Sequence, residues 1–180
     1  MLSTDPAKAF SVNPSRHAAL KAIVFAGFVA GTIDIGAAAL INWLNPVIIL
    51  QAIASGVLGK ASYFEGTRSA LLGLVLQWGM SLLIAAIYVS SSRRLNWLSA
   101  NWLRGGVAYG VVIFVVMNYF VVPLSAAWPL HPFSMHGLAH RFPPDKFIYN
   151  LLAMLLFGLI VAFYDHYFHP SMAPHPAESN

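Results

Sequence analysis

The chain has 180 residues, of which 58% are hydrophobic and 9% charged, and its mean hydropathy is +0.68. Ordinary soluble domains carry roughly 25% charged residues, so the composition excludes a typical soluble protein and predicts an all-α membrane protein. A spanning helix uses about 20 apolar residues, which leaves no room for a separate soluble domain. The sequence has no Cys, which excludes disulfides, thiol nucleophiles and Cys-ligated metal centres. The formal charge of +4 comes from basic residues beside apolar runs, which favours lipid headgroups over nucleic acid as a partner.

Four apolar runs are long enough to cross a bilayer, and together they predict a single four-helix membrane domain over residues 19–168. The spans are predicted at residues 22–44, 69–89, 103–124 and 147–164. Polar tails are predicted at residues 1–18 and 169–180. A cleaved signal peptide is disfavoured for the first run, because the run is too long and Asp34 interrupts it.

The apolar stretch 46–59 lies between the first two spans and predicts a shorter helix. Asn45 and Pro46 form a good N-cap and first-turn pair. A helix over this stretch would be about 21 Å long, too short for about 30 Å of hydrocarbon. Gln51 and Ser55 recur on one side of it at helical spacing. We therefore expect an interfacial or re-entrant helix, with Gln51 and Ser55 facing the mouth of the bundle as a lid.

Lys and Arg residues near the span ends predict the orientation of the chain. An inward N-terminus places Lys8, Arg16, Lys21, Arg93, Arg94 and Arg104 inside, and Lys60, Arg68, Arg141 and Lys146 outside. Because the inner side carries more of these residues, both termini are predicted to be cytoplasmic.

Asp34 is the leading candidate for a functional residue, because an ionisable side chain inside a span costs on the order of 2.5–3.5 kcal/mol. It shares a helix face with Gly27 and Gly31, which permits close approach of another helix. Three amides fall at a similar depth in the other spans. The predicted buried polar cluster is Asp34, Gln77, Asn118 and Asn150. Such a cluster could form a polar, proton-accessible pocket, or its amides could simply hydrogen-bond Asp34 and fix the helix register.

Three histidines between the third and fourth spans, His131, His136 and His140, are the second candidate group. The last two have i, i+4 spacing and would face one metal ion if the segment were helical. No nearby carboxylate completes a usual metal site, and the surrounding prolines favour an irregular loop. His136 and His140 are therefore weak candidates, and no metal or other cofactor is predicted. Haem is disfavoured because none of the histidines lies within a predicted span.

The motifs of nucleotide-binding and hydrolytic enzymes are missing from the sequence. Dedicated catalysis is therefore disfavoured, and we expect a non-catalytic structural or accessory subunit. Its expected partners are the lipid bilayer and either another membrane subunit or a second copy of the chain. Two alternatives stay open. The first is permeation or sensing of a small solute or proton through a pocket centred on Asp34; the second is a membrane-embedded enzyme or metal-binding protein that uses the histidine loop.

Several short motifs resemble a family of small four-helix bacterial inner-membrane proteins of unassigned function. They are Gly31–Ile35, Ile49–Gly59, Ser92-Arg93-Arg94, Tyr109-Gly110, Met117-Asn118-Tyr119 and Val122–Ser125. The resemblance covers about residues 26–126 and is most specific at Leu50–Gly59. It implies a four-helix fold and a bacterial inner membrane, and it implies no activity, cofactor or partner.

Overall fold

A computed structural model describes residues 14–125 and 144–168. The described residues form helices and short connections, with no strand among them. Five of the helices in this part of the chain are long and apolar enough to cross a membrane. The predicted all-α class is therefore confirmed for the described residues, and the length and composition of the helices suggest a membrane protein.

The helices follow one another with short connections. In chain order they are α1 (Pro14–Asn42), α2 (Pro46–Leu58), a 3-10 turn (Gly59–Tyr63), α3 (Thr67–Ser92), α4 (Asn96–Ala100), α5 (Trp102–Val116), a π turn (Met117–Val121), α6 (Val122–Leu124) and α7 (Pro144–Phe168). The residues of the four predicted spans overlap α1, α3, the α5 to α6 segment and α7. The helices extend past several of the predicted boundaries, because a helix keeps its backbone hydrogen bonds beyond the apolar run.

Local backbone chemistry separates α1, α2 and α3. Helix α1 ends at Asn42, and the next residue, Trp43, adopts a left-handed conformation with φ of 54°. The Asn45 side chain then accepts a hydrogen bond from the Val47 amide at 2.9 Å, which confirms the predicted N-cap of α2. Gly59 ends α2 with φ of 62° and Gly66 precedes α3 with φ of 61°, and glycine adopts such angles without steric cost.

The region around α2 is the point at which the sequence and the structure differ. Helix α2 ends at Leu58, and the 3-10 turn that follows extends the helical segment to Pro46–Tyr63, a length of 18 residues. By length and composition this stretch qualifies as a fifth candidate span. The α-helical part alone is about 20 Å long at 1.5 Å per residue.

The main core lies where α1, α3, α5 and α7 meet. Its buried members are small or apolar side chains together with one tyrosine. They are Ala26, Ala30, Ala85, Tyr88, Ile113, Phe157, Val161 and Ala162. A second cluster joins α2 to the bundle through Ile35, Ala39 and Ile49, with Leu74 of α3 packed against it. Helix α2 therefore packs against the last turns of α1 and the first turns of α3.

Glycines bring the backbones of α5 and α7 together. A Cβ atom added at Gly110 would lie 2.7 Å from both the Leu155 Cα atom and the Met154 carbonyl oxygen. Gly106 and Gly158 face each other in the same contact. Lipid tails are as apolar as leucine, so close packing of this kind is a principal source of helix association in a bilayer.

We predict that Gly110→Ala destabilises the bundle, because the new methyl group meets backbone atoms that no rotamer change can move aside. Overpacking of this kind typically costs about 1–3 kcal/mol. Gly79→Ala is the matched control, since Gly79 lies in α3 and nothing is within 4 Å of the added atom. Thermal unfolding in detergent should show a lower midpoint for Gly110→Ala and an unchanged or higher midpoint for Gly79→Ala. Equal midpoints would contradict the close α5–α7 contact.

Candidate functional site

Asp34 of α1 and Gln77 of α3 form a hydrogen-bonded pair. The Gln77 Nε2 atom donates to the Asp34 Oδ2 atom at 2.8 Å, and the Gln77 side chain is buried. The helices come close at this depth because Gly31 has no side chain, and a Cβ atom there would lie 2.6 Å from the Ser81 hydroxyl oxygen. The small-residue face predicted for α1 therefore lies against α3, and it brings these two members of the predicted cluster into contact.

Asn118 and Asn150 form a second pair, between the π turn and α7. The Asn150 Nδ2 atom donates to the Asn118 Oδ1 atom at 3.2 Å. Asn118 is buried, and its own Nδ2 atom donates to the Phe114 carbonyl at 2.8 Å. The four residues predicted as one cluster thus form two hydrogen-bonded pairs, each of which joins two different segments of the bundle, and a single cluster of all four stays a prediction.

A small cavity lies beside the first pair, where α1, α3, the α5 segment and α7 meet. Its volume is about 20 Å³, and a single water needs about 10–15 Å³. Asp34 is its one ionisable lining residue, and its lining is Asp34, Gln77, Met80, Ser81, Ile84, Ile113, Met117, Met154 and Phe157. The cavity therefore has room for about one water or one monatomic ion, in surroundings that are mostly apolar.

Gln51 and Ser55 are both buried, but their hydrogen bonds lead away from this cavity. The Gln51 Nε2 atom donates to the Gly66 carbonyl at 3.1 Å, and the Ser55 hydroxyl donates to the Ala52 carbonyl of its own helix at 2.6 Å. Neither residue is among those that line the cavity. Gln51 ties α2 to the connection before α3, and its function as a lid stays a prediction.

The histidine loop, with His131, His136 and His140, lies outside the described residues. Its metal-binding function therefore also stays a prediction. Within residues 14–125 and 144–168, no group of three or more His, Asp or Glu side chains could hold a metal ion.

Sequence reasoning missed one buried acid, Asp165. The predicted fourth span stops at residue 164, yet α7 continues to Phe168 and Asp165 is only 3% exposed. The spacing of Gly158, Val161 and Asp165 along α7 places all three on one helix face, and this spacing could have identified the acid. A boundary drawn by hydropathy ends at the first charged residue, even when that residue faces protein.

Comparisons of the chain with protein-family models, with curated proteins and with solved structures give no match. The resemblance to small four-helix inner-membrane proteins therefore stays a prediction, and the site must be interpreted from its own geometry.

We predict that the Asp34–Gln77 hydrogen bond contributes measurably to stability. A double-mutant cycle with Asp34→Leu, Gln77→Leu and the double variant isolates the interaction between the two side chains. Hydrogen bonds between membrane helices average about 0.6 kcal/mol and reach about 1.7 kcal/mol, so we expect a favourable coupling energy in this range. The measurement is reversible unfolding in detergent.

Asp34→Asn is the control for this cycle, because an amide oxygen accepts the same hydrogen bond from Gln77. Its coupling to Gln77→Leu should be close to that of the native acid. A coupling energy indistinguishable from zero for the native pair would show that the hydrogen bond does not hold α1 against α3.

Proposed function

We propose that the protein is a four-span integral membrane protein that acts as a non-catalytic structural or accessory subunit. The observation that carries the proposal is the pairing of Asp34 with Gln77 at 2.8 Å beside a cavity of only about 20 Å³. A carboxyl group engaged in this way orients two helices. A pathway for solutes would need a wider cavity that is connected to water and has a more polar lining than the one these residues form.

The packing of α2 supports four spans and one short helix. Helix α2 contacts α3 near the start of α3. The Leu50 backbone lies against Gly73, and the Gln51 side chain donates a hydrogen bond to the Gly66 carbonyl just before α3. Its contacts with α1 fall near the end of that helix, at Ile35 and Ala39. A helix held against one end of the bundle in this way is suited to the interface or to a re-entrant position.

The distribution of basic residues supports cytoplasmic termini, since Arg93 and Arg94 follow α3 and Arg104 lies near the start of α5. The bacterial inner membrane as the location rests on the resemblance described above. Trp43 and Phe64, at 91% and 90% exposure, flank α2 and its turn, and exposed aromatic rings at helix ends favour the membrane interface.

The outward faces of the spans support an accessory function. Large apolar side chains remain exposed along α1, α3 and α5, among them Leu40, Leu71 and Val112. In a bilayer these faces contact lipid tails, a second membrane subunit or another copy of the chain. Because close packing contributes to association there as well as hydrogen bonding, such faces can hold a partner without a polar recognition site.

The alternative function, permeation or sensing of a proton or small solute, has one specific observation in its favour. Asp34 lines the cavity, and intramembrane acids often mark ion and proton pathways. A flux measurement separates the two functions, because an accessory subunit has no transport activity of its own.

We predict that the purified protein in liposomes conducts no protons above the rate of empty liposomes. The measurement uses a trapped pH-sensitive dye and an imposed potassium diffusion potential. Liposomes that contain the Asp34→Asn variant should show the same proton flux as empty liposomes. A proton flux that the native protein supports and Asp34→Asn abolishes would overturn the accessory function in favour of the pathway.

We also predict that α2 does not cross the membrane. The chain has no native Cys, so single cysteines can be placed at Leu44 and Glu65, which precede and follow α2 and its turn and are both exposed. A membrane-impermeant thiol reagent should label both variants from the same side. Labelling from opposite sides would show that the stretch is a fifth span, and Ser91→Cys, expected at the cytoplasmic face, provides the reference for the other side.

A further inference from the structure

The cavity beside Asp34 collects methionines from three parts of the bundle. The chain has six Met residues, and those within the described residues are Met80, Met117 and Met154. All three line this one cavity, although they come from α3, the π turn and α7. Met often fills irregular gaps in apolar cores, but gap filling does not explain why the same cavity also holds a carboxyl group.

The lining determines the charge that an occupant should carry. Asp34 is the one ionisable side chain in the lining, and the polar Gln77 and Ser81 are neutral. A carboxylate without a counter-charge is costly in the bilayer interior. One positive charge makes the site neutral, whereas a divalent cation would leave an excess positive charge at the same depth. The cavity is therefore suited to one monovalent cation.

The ligand atoms determine which monovalent cation fits. Thioether sulfur is a soft ligand that selects Cu(I), whereas carboxylate and carbonyl oxygens suit hard cations. A volume of about 20 Å³ holds one bare ion and excludes its hydration shell, since a single water already requires about 10–15 Å³. A dehydrated ion then depends on the side chains for its ligands, and the lining supplies more thioethers than carboxylates.

The backbone offers a second observation at the same place. Met117 is the first residue of the π turn Met117–Val121. Single π turns inside α-helices are rare and occur frequently at functional sites. The irregular turn thus coincides with one of the three methionines of the cavity.

We propose that this cavity binds one soft monovalent cation, Cu(I), through the thioethers of Met80, Met117 and Met154, with the Asp34 carboxylate as counter-charge. The hydrogen bond from Gln77 uses the Oδ2 atom, and a carboxylate has a second oxygen. This binding site goes beyond the accessory function and does not depend on it.

The test is Cu(I) titration of the purified, untagged full chain in detergent, under ascorbate and against the chromophoric competitor bicinchoninate. We expect one Cu(I) per chain. The variant Met80→Leu/Met117→Leu/Met154→Leu should lose affinity by more than the roughly 10- to 100-fold that loss of an outer-shell partner costs. Asp34→Asn, which removes the counter-charge and keeps the hydrogen-bond acceptor, should weaken binding about 10-fold.

Two control measurements distinguish this site from other ligands of the chain. Met135→Leu/Met172→Leu, which alters methionines outside the described residues, should bind Cu(I) like the native protein. X-ray absorption of the copper-loaded native protein should show sulfur scatterers. Nitrogen and oxygen scatterers alone would assign the copper to the histidines and overturn the proposal, and this result is obtained even if the triple variant does not fold.

Two further results would also overturn it. One is unchanged Cu(I) affinity in a folded triple variant, since exchange of Met for Leu preserves volume and is usually tolerated in a core. The other is a thermal stabilisation by Na⁺ that Asp34→Asn abolishes while Cu(I) has no effect, which would identify a hard-cation site.

Discussion

Close contact between helix backbones at glycine residues is the constraint on which the rest of the structure depends. Gly106, Gly110 and Gly158 bring α5 against α7, and Gly27 does the same for α1 against α3, where an added Cβ atom would lie 2.9 Å from the Leu82 Cα atom. In a bilayer, water would not drive such helices together, so packing and hydrogen bonds would have to hold them. Two hydrogen-bonded pairs join the same parts of the bundle.

The polar pairs convert close contact into a defined register. A glycine face alone would permit one helix to slide and rotate against its neighbour, because a smooth apolar surface allows many packing arrangements of similar energy. The Asp34–Gln77 pair joins α1 to α3, and the Asn118–Asn150 pair joins the π turn to α7. A slip along either helix would leave buried polar atoms unsatisfied, which costs more than the bond itself contributes. The pairs thus select one arrangement among several that glycine contacts allow.

The sequence predicted the parts of this arrangement that depend on local chemistry. The apolar runs predicted the long helices, and the pair Asn45-Pro46 predicted the start of α2. The similar depth of Asp34 and Gln77 in their predicted spans indicated that the two side chains could meet. It did not predict the π turn at Met117 or the partner of Gln51, because both depend on how separate helices pack. It also did not predict that a 3-10 turn over Gly59–Tyr63 would follow α2 directly, because this turn contains Lys60 and Ser62 and carries no apolar periodicity.

The choice of an acid at position 34 needs an explanation beyond register. An asparagine there would accept the same hydrogen bond from Gln77, and the second pair shows that this chain uses asparagines for that purpose. An acid in mid-span adds on the order of 2.5–3.5 kcal/mol to the cost of insertion. Hydrogen bonding explains the oxygen that Gln77 contacts but does not explain why the residue is an acid and not an amide. A cation held beside Asp34 by Met80, Met117 and Met154 would require an acid at this position, and it explains why the thioethers and the acid line the same cavity.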